Sequence, residues 1–187
     1  MSLDFQNILK SGGIGIIPTD TIYGLVGIAL NRKTVERIYK VRQRNPKKPF
    51  IILISSPADL KLFGIKLSAP SKNILRKLWL CPPKLYAKVG PVSVVLPCRS
   101  KKFYYLHRGT NSLAFRVPKK KSLVALLQNT GPLVAPSANP EGEKPAQTIK
   151  EAKKYFGIKV YPQNERMVDF YVDGGRLAKK PSTLITI

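Results

Sequence analysis

The feature that most constrains the fold is the length of the apolar runs. Phe50–Ile54 is apolar throughout, and Ile14–Ile17, Val92–Leu96, Leu113–Val117 and Leu133–Ala135 are nearly so. Runs of this size suit strands buried on both faces and fall far short of the roughly 20 residues a bilayer crossing needs. Between them lie segments with helical spacing. Leu3–Lys10 is closed by the helix-ending Ser11-Gly12-Gly13. In Lys33–Arg42 the apolar Val35, Ile38 and Tyr39 share one face, and Asn45-Pro46 breaks the segment. Pro57–Phe63 opens on a Ser-Ser-Pro start signal, followed by Pro70–Trp79, Ser122–Gln128 and Thr148–Phe156. Two more strands are predicted at Met167–Val172 and Thr183–Ile187. Strands and helices mixed in this way predict an α/β fold, with helices covering a largely buried mixed sheet.

A chain of 187 residues without repeats or linker-like tracts is expected to form a single domain over 1–187. A domain of that size buries close to 70% of its unfolded surface and needs no staples. Cys81 and Cys98 form no CxxC pair and His107 is the single histidine, so no structural metal site is expected. The start MSLDFQNILK lacks the apolar core of a signal peptide, and a cytoplasmic protein without membrane contact is expected. The charge is the loudest bulk property: 33 Lys+Arg against 10 Asp+Glu give a formal net charge of +23. Such a field concentrates anions, nucleic acid and nucleotides included. Because the basic residues are scattered, charge names no particular partner.

Four polar stretches sit at the ends of apolar runs, where open α/β sheets place their ligands. Pro18-Thr19-Asp20-Thr21-Ile22-Tyr23-Gly24-Leu25 reads as a loop able to grip a small polar ligand, or as an ordinary decorated turn. Lys40, Arg42, Arg44, Lys47 and Lys48 gather at a helix end, as phosphate partners or as a solvated face. The strand Leu133–Ala135 delivers Ser137 and Asn139 at its tip, one suited to a phosphate and the other to tying the loop. No nucleophile elbow surrounds Ser137, which argues against a serine hydrolase. Arg116 stands among apolar strand residues and needs a carboxylate, from the protein or from a substrate. Neither a Walker A motif nor a Rossmann glycine fingerprint occurs.

In order and spacing, GGIGIIPTDTIYGL, VRQRNPKKPFIILI, VGPVSVVLP, LAFRVP, LVAPSANPEG and DGGRLAKKPSTLITI resemble the YrdC/TsaC family from about Gly12 onward. The resemblance implies a YrdC-like twisted mixed sheet, flanked by helices, around a basic concave cleft. It also implies an activity: L-threonylcarbamoyladenylate synthesis, in which ATP, L-threonine and bicarbonate yield threonylcarbamoyl-AMP and pyrophosphate for N6-threonylcarbamoyladenosine in tRNA. By position, Thr21, Arg116, the backbone at Ala135 and Ser182 would hold threonine. Arg42, Arg44, Lys48, Ser112, Ser137, Asn139 and Pro145 would hold ATP, with Arg44 and Lys48 positioning its phosphates. Mg2+ would arrive on those phosphates, and the protein would supply neither a nucleophile nor a metal ligand. tRNA or double-stranded RNA at the basic surface and a downstream threonylcarbamoyl transferase complex are the implied macromolecular partners.

The chain departs from the family pattern in four places. Arg42 stands where the family has lysine, Val89 opens its Pro-Gly-Pro motif, Ser93 replaces a threonine, and Leu53 lies near a frequent histidine. It is also similar to the short family form, ending just past the Ser-Thr strand. The competing reading is a non-catalytic protein of the same fold that binds RNA or assists ribosome maturation. The carbamoyl-transfer module of hydrogenase maturation proteins is a weaker alternative, because its zinc-finger and acylphosphatase neighbours are absent from this sequence.

Overall fold

A computed structural model of the chain describes residues 3–79, 90–157, 167–179 and 181–187. Cys81 and Val89 lie outside them. Helix α1 (Leu3–Lys10) carries Asp4 in its first turn and Lys10 in its last, matching the helix dipole. It stops where Gly12 takes a φ of 93°, a left-handed angle that glycine adopts without steric cost. Strands β1 (Gly15–Pro18) and β2 (Tyr23–Ile28) form an antiparallel hairpin. Helix α2 (Arg32–Val41) is capped by the Asn31 side chain, which accepts from Thr34 N. After β3 (Ile51–Leu53), the Pro57–Phe63 segment coils as a 3₁₀ helix, and α3 spans Ala69–Trp79.

The second half runs through β4 (Val92–Pro97), the short α4 (Tyr104–His107), β5 (Ser112–Arg116) and α5 (Lys121–Thr130). It continues through β6 (Leu133–Val134), α6 (Ile149–Phe156), β7 (Phe170–Tyr171) and β8 (Thr183–Thr186). Among the described residues the strands form one eight-stranded sheet in the order β7-β1-β2-β6-β3-β5-β4-β8. The pairs β1·β7, β3·β5 and β4·β8 are parallel, and the rest are antiparallel. The expected mixed α/β sheet is therefore present.

The apolar runs are continuous because the sheet buries both faces. Ile16, Leu25 and Ile52 join a large core with Val94 and Phe115. Their neighbours Ile17, Val26 and Leu53 point the other way, into a second cluster with Phe5, Leu9, Leu123 and Leu127 of α1 and α5. Leu53, near the place where the resembled family often has a histidine, is thus a fully buried core residue.

Several expectations are corrected. The Tyr23–Leu25 part of the proposed gripping loop is the start of β2, a strand not anticipated because its two glycines depress strand propensity. Gly27 is required there: a Cβ would stand 2.4 Å from Thr34 Cγ2 of the overlying helix. The Met167–Val172 run pairs only at Phe170–Tyr171. The Lys101–His107 turns were not foreseen. The strand expected at Thr183–Ile187 is present as β8, at a sheet edge, with Leu184 59% exposed.

Candidate functional site

A cavity of about 470 Å³ opens where several strand ends converge, a size suited to a small-molecule ligand. The β1–β2 turn contributes Thr19, Thr21 and Ile22, and the segment after β6 contributes Ala135, Pro136 and Ser137. The approach to β3 supplies Pro49 and Phe50, β5 and its lead-in supply Thr110, Ser112, Ala114 and Arg116, and β8 and its lead-in supply Pro181, Ser182 and Leu184. Arg42, Arg44 and Pro145 complete the set used below.

Short-range hydrogen bonds shape the β1–β2 turn. Thr19 Oγ1 donates to Ile22 O at 2.6 Å and lies 3.0 Å from Thr21 Oγ1, so the two hydroxyls form one rigid polar edge. Beyond it, Tyr23 Oη donates to Gly175 O at 2.7 Å and accepts from Gly174 N at 2.9 Å. That phenol ties the segment leading to Ser182 onto the hairpin. Ser182 Oγ in turn lies 2.8 Å from Ser93 Oγ of β4, the serine that replaces the family's threonine.

The segment after β6 runs extended beside β2. Leu25 N donates to Pro136 O and Ala138 N donates to Tyr23 O, both at 2.9 Å. Ala135 N donates to Ile51 O at 3.0 Å, which leaves the Ala135 carbonyl as the backbone group available to a ligand. Asn139 is buried beneath the cavity, not in its wall. Its Nδ2 donates to Pro140 O at 2.8 Å and Glu143 O at 2.7 Å, so it ties the loop and has no donor left for a nucleotide.

Arg42 is also more structural than expected of a phosphate fork. Only 2% exposed, it donates from Nε to Asn139 O at 2.7 Å and from Nη2 to Ser137 Oγ at 3.3 Å and Asn139 Oδ1 at 3.4 Å. Burial, followed by the neighbouring Arg44 charge, lowers its pKa to about 10. A planar fork serves three acceptors at once, which one ammonium cannot do with the same geometry.

Arg116 finds the protein carboxylate its environment demands: Nη2 stands 3.0 Å from Asp20 Oδ1, each side chain 6% exposed. Its Nε is buried without a hydrogen-bond partner, and so is Nε of Arg44. Two of the cavity's three arginines thus carry a buried Nε without a hydrogen-bond partner. An unmet buried donor costs about 1–3 kcal/mol, which an anionic ligand would recover.

Two loops of the rim are joined by a column of stacked groups not foreseen from the residue pattern. Arg44 lies 5.8 Å from the Phe50 ring centroid, Phe50 stacks on Tyr39 at 4.1 Å, and Arg108 covers the other side of Tyr39 at 4.0 Å. Arg108 is held by Glu36 at 2.9 Å. The Thr110 it leads to, in a Gly-Thr-Asn turn, was overlooked as a lining residue. His107 is satisfied structurally: Nδ1 accepts from Gly109 N at 3.2 Å and Nε2 meets Ser100 O at 3.3 Å.

Of the sequence-derived candidates, Thr21, Arg116, Ala135, Ser182, Arg42, Arg44, Ser112, Ser137 and Pro145 all line this one cavity. Lys48 and Asn139 do not. Lys48, its side chain 58% exposed, is turned toward Glu141. Among the described residues no group of three or more His, Cys, Asp or Glu is disposed to hold a metal ion. No helix there is long and apolar enough to cross a membrane.

A twisted mixed sheet whose strand ends and C-terminal strand enclose one arginine-lined cavity defines an α/β small-ligand-binding domain. Within that class the chain belongs to the Sua5/YciO/YrdC family, described under telomere recombination, which matches residues 7–187. A threonylcarbamoyl-AMP synthase of Marinobacter nauticus is 31% identical over 189 residues, covering 100% of this chain and 90% of that protein. One of Thiobacillus denitrificans is 29% identical, covering 96% and 87%. The structure of P. abyssi Sua5 complexed with L-threonine superposes with a TM-score of 0.81 at 24% identity, over 98% of this chain and 50% of that one. MTH1692 from Methanobacterium thermoautotrophicum superposes with a TM-score of 0.69 at 27% identity, over 98% and 80%.

Proposed function

We propose that this chain is an L-threonylcarbamoyladenylate synthase, an enzyme of the nucleotidyltransferase class acting in the cytoplasm for tRNA modification. The observation that carries the reading is the pair of buried, unmet Arg116 and Arg44 donors in one cavity. They suit two anionic groups, the carboxylate of an amino acid and the phosphates of a nucleotide. The names of the relatives, threonylcarbamoyl-AMP synthases spanning nearly this whole chain, support the same assignment.

In this reading the threonine carboxylate meets Arg116, its hydroxyl and amine meet Thr21, Ser182 and the Ala135 carbonyl, and the nucleotide lies toward Ser112, Ser137, Arg44 and Pro145. Arg42 holds Ser137 and the loop. The threonine amine and bicarbonate form a carbamate with loss of water. A carbamate oxygen then bonds to the α-phosphorus as the bond to the β-phosphate oxygen breaks, and pyrophosphate departs; Mg2+ carried on the phosphates would neutralise part of their charge. Residues of this chain contribute orientation and charge neutralisation, with no covalent intermediate. A separate transferase assembly would pass the threonylcarbamoyl group to tRNA, which the chain's formal net charge of +23 would attract.

The test is incubation of the protein with ATP, Mg2+, bicarbonate and labelled threonine. Threonine-dependent pyrophosphate and a threonylcarbamoyl-AMP peak are expected. Absence of product, with RNA still bound tightly, would replace this reading with the non-catalytic RNA-binding one.

A further inference from the structure

Glu141 follows the Ser137–Asn139 loop and is not explained by that loop's own bonding. Its Oε1 accepts from Lys48 Nζ at 2.8 Å and lies 3.9 Å from Arg44 Nη1, while Oε2 accepts from Asn45 N. One ammonium, one guanidinium and one backbone N–H therefore converge on a single carboxylate. That donor set, wrapped in a turn where Gln43 takes a φ of 51°, is the kind that cradles a phosphate oxygen. Glu141 N donates to Arg42 O at 2.9 Å, so the carboxylate is carried on the segment that pins the cavity-lining Ser137.

We propose that Glu141 is an internal competitor for the phosphate end of the nucleotide: it occupies the Arg44, Lys48 and Asn45 donors that the departing pyrophosphate would use, and so sets nucleotide affinity and product release. The inference rests on the reading of this loop as the phosphate-binding end. Lys48 is outside the cavity wall because Glu141 holds it, and displacement of the carboxylate frees it to follow the phosphates. The bonds from Lys48 and Asn45 keep the Glu141 carboxyl at about 2, so the competition persists at neutral pH. Removing the charge keeps the loop's backbone bonds but opens the cradle. Removing a solvent-screened pair of this kind changes affinity for a competing anion by about five-fold.

The experiment measures binding of inorganic pyrophosphate, with Mg2+, to the full chain by calorimetry, at several salt concentrations. Glu141→Gln is expected to tighten pyrophosphate about five-fold and steepen its salt dependence, because one internal anion no longer screens the cradle. Glu141→Asp, which keeps the charge, is expected to stay near the unsubstituted protein, and Arg44→Ala to weaken binding. Melting temperatures establish that each variant is folded. If Glu141→Gln binds pyrophosphate no more tightly while Arg44→Ala weakens it, Glu141 is only a loop staple and the inference is overturned. If neither substitution alters binding, the loop is not a phosphate site, and that assignment falls with the inference. If Glu141→Gln tightens pyrophosphate yet the protein makes no threonylcarbamoyl-AMP, the competitor stands and the synthase reading fails.

Discussion

Replacing Arg42 by lysine keeps the charge and removes the fork, which separates the structural work of this residue from its electrostatic work. Nε donates to Asn139 O at 2.7 Å, while Nη2 is shared between Ser137 Oγ and Asn139 Oδ1. A lysine ammonium reaching for either side leaves at least one of these buried acceptors unmet. A lost hydrogen bond from a charged donor is worth about 1.5–3 kcal/mol, so destabilisation by about 2 kcal/mol follows. For a domain of this length each kcal/mol moves the melting temperature by roughly 2–4 °C, giving a fall of about 4–8 °C. Ser137, no longer pinned, should raise the KM for ATP by roughly ten-fold while threonine affinity changes less. Thermal melting together with initial rates against both substrates checks this. A melting temperature within a degree of the parent would refute the fork argument, even though the family pattern places lysine here.

Four further outcomes follow from the same geometry. Arg116→Ala should destabilise by about 3 kcal/mol, because Asp20 stays buried without its guanidinium partner; the Asp20→Ala, Arg116→Ala double variant should recover part of that stability in urea melts but no threonine-dependent turnover. Gly27→Ala should cost about 1–3 kcal/mol, since its Cβ would meet Thr34 Cγ2 at 2.4 Å and Ile14 Cγ2 at 3.1 Å. Glu141 has a folded pKa below its ordinary 4.5, at about 2, so its stabilisation is complete above 4.5 and fades as the pH falls to 2; the stability gap between the parent and Glu141→Gln should narrow over that window and stay flat above it. Tyr23→Phe removes the bonds to Gly175 O and Gly174 N, and should raise the threonine KM through Ser182 with a melting shift of only a few degrees.

The helices and most strands were legible because their signals are local: Asn31 before α2, glycines after α1, unbroken apolar stretches wherever both sheet faces are covered. β2 was not, because Gly24 and Gly27 serve close approach to other elements, which only the folded partner reveals. The residues around the cavity were found through motif resemblance and local chemistry, yet their division of labour was hidden. Whether Arg42 faces solvent or Asn139 depends on how a helix end meets a loop 97 residues away. Lys48 is drawn aside by a carboxylate 93 residues downstream, which no spacing rule exposes. Arg116 was anticipated as needing a carboxylate, and Asp20 answers that need; the same reasoning could not say that Nε would remain unmet.

The tie between Tyr23 and the segment at Gly174 and Gly175 has a consequence for how the protein is made. One part of the cavity lining, the Thr19–Tyr23 turn, leaves the ribosome early, and another part, Pro181–Leu184, leaves some 160 residues later. A nascent chain halted near residue 150 already holds the hairpin, β3, β5 and the Ser137 loop, but neither Ser182 nor the strand that lies against β4. Until residues 173–187 are made, the cavity lacks the lining that Pro181, Ser182 and Leu184 provide. Proteolytic clipping near residue 175 would remove the same lining, together with Leu177, Ile185 and Ile187, which pack against the large core.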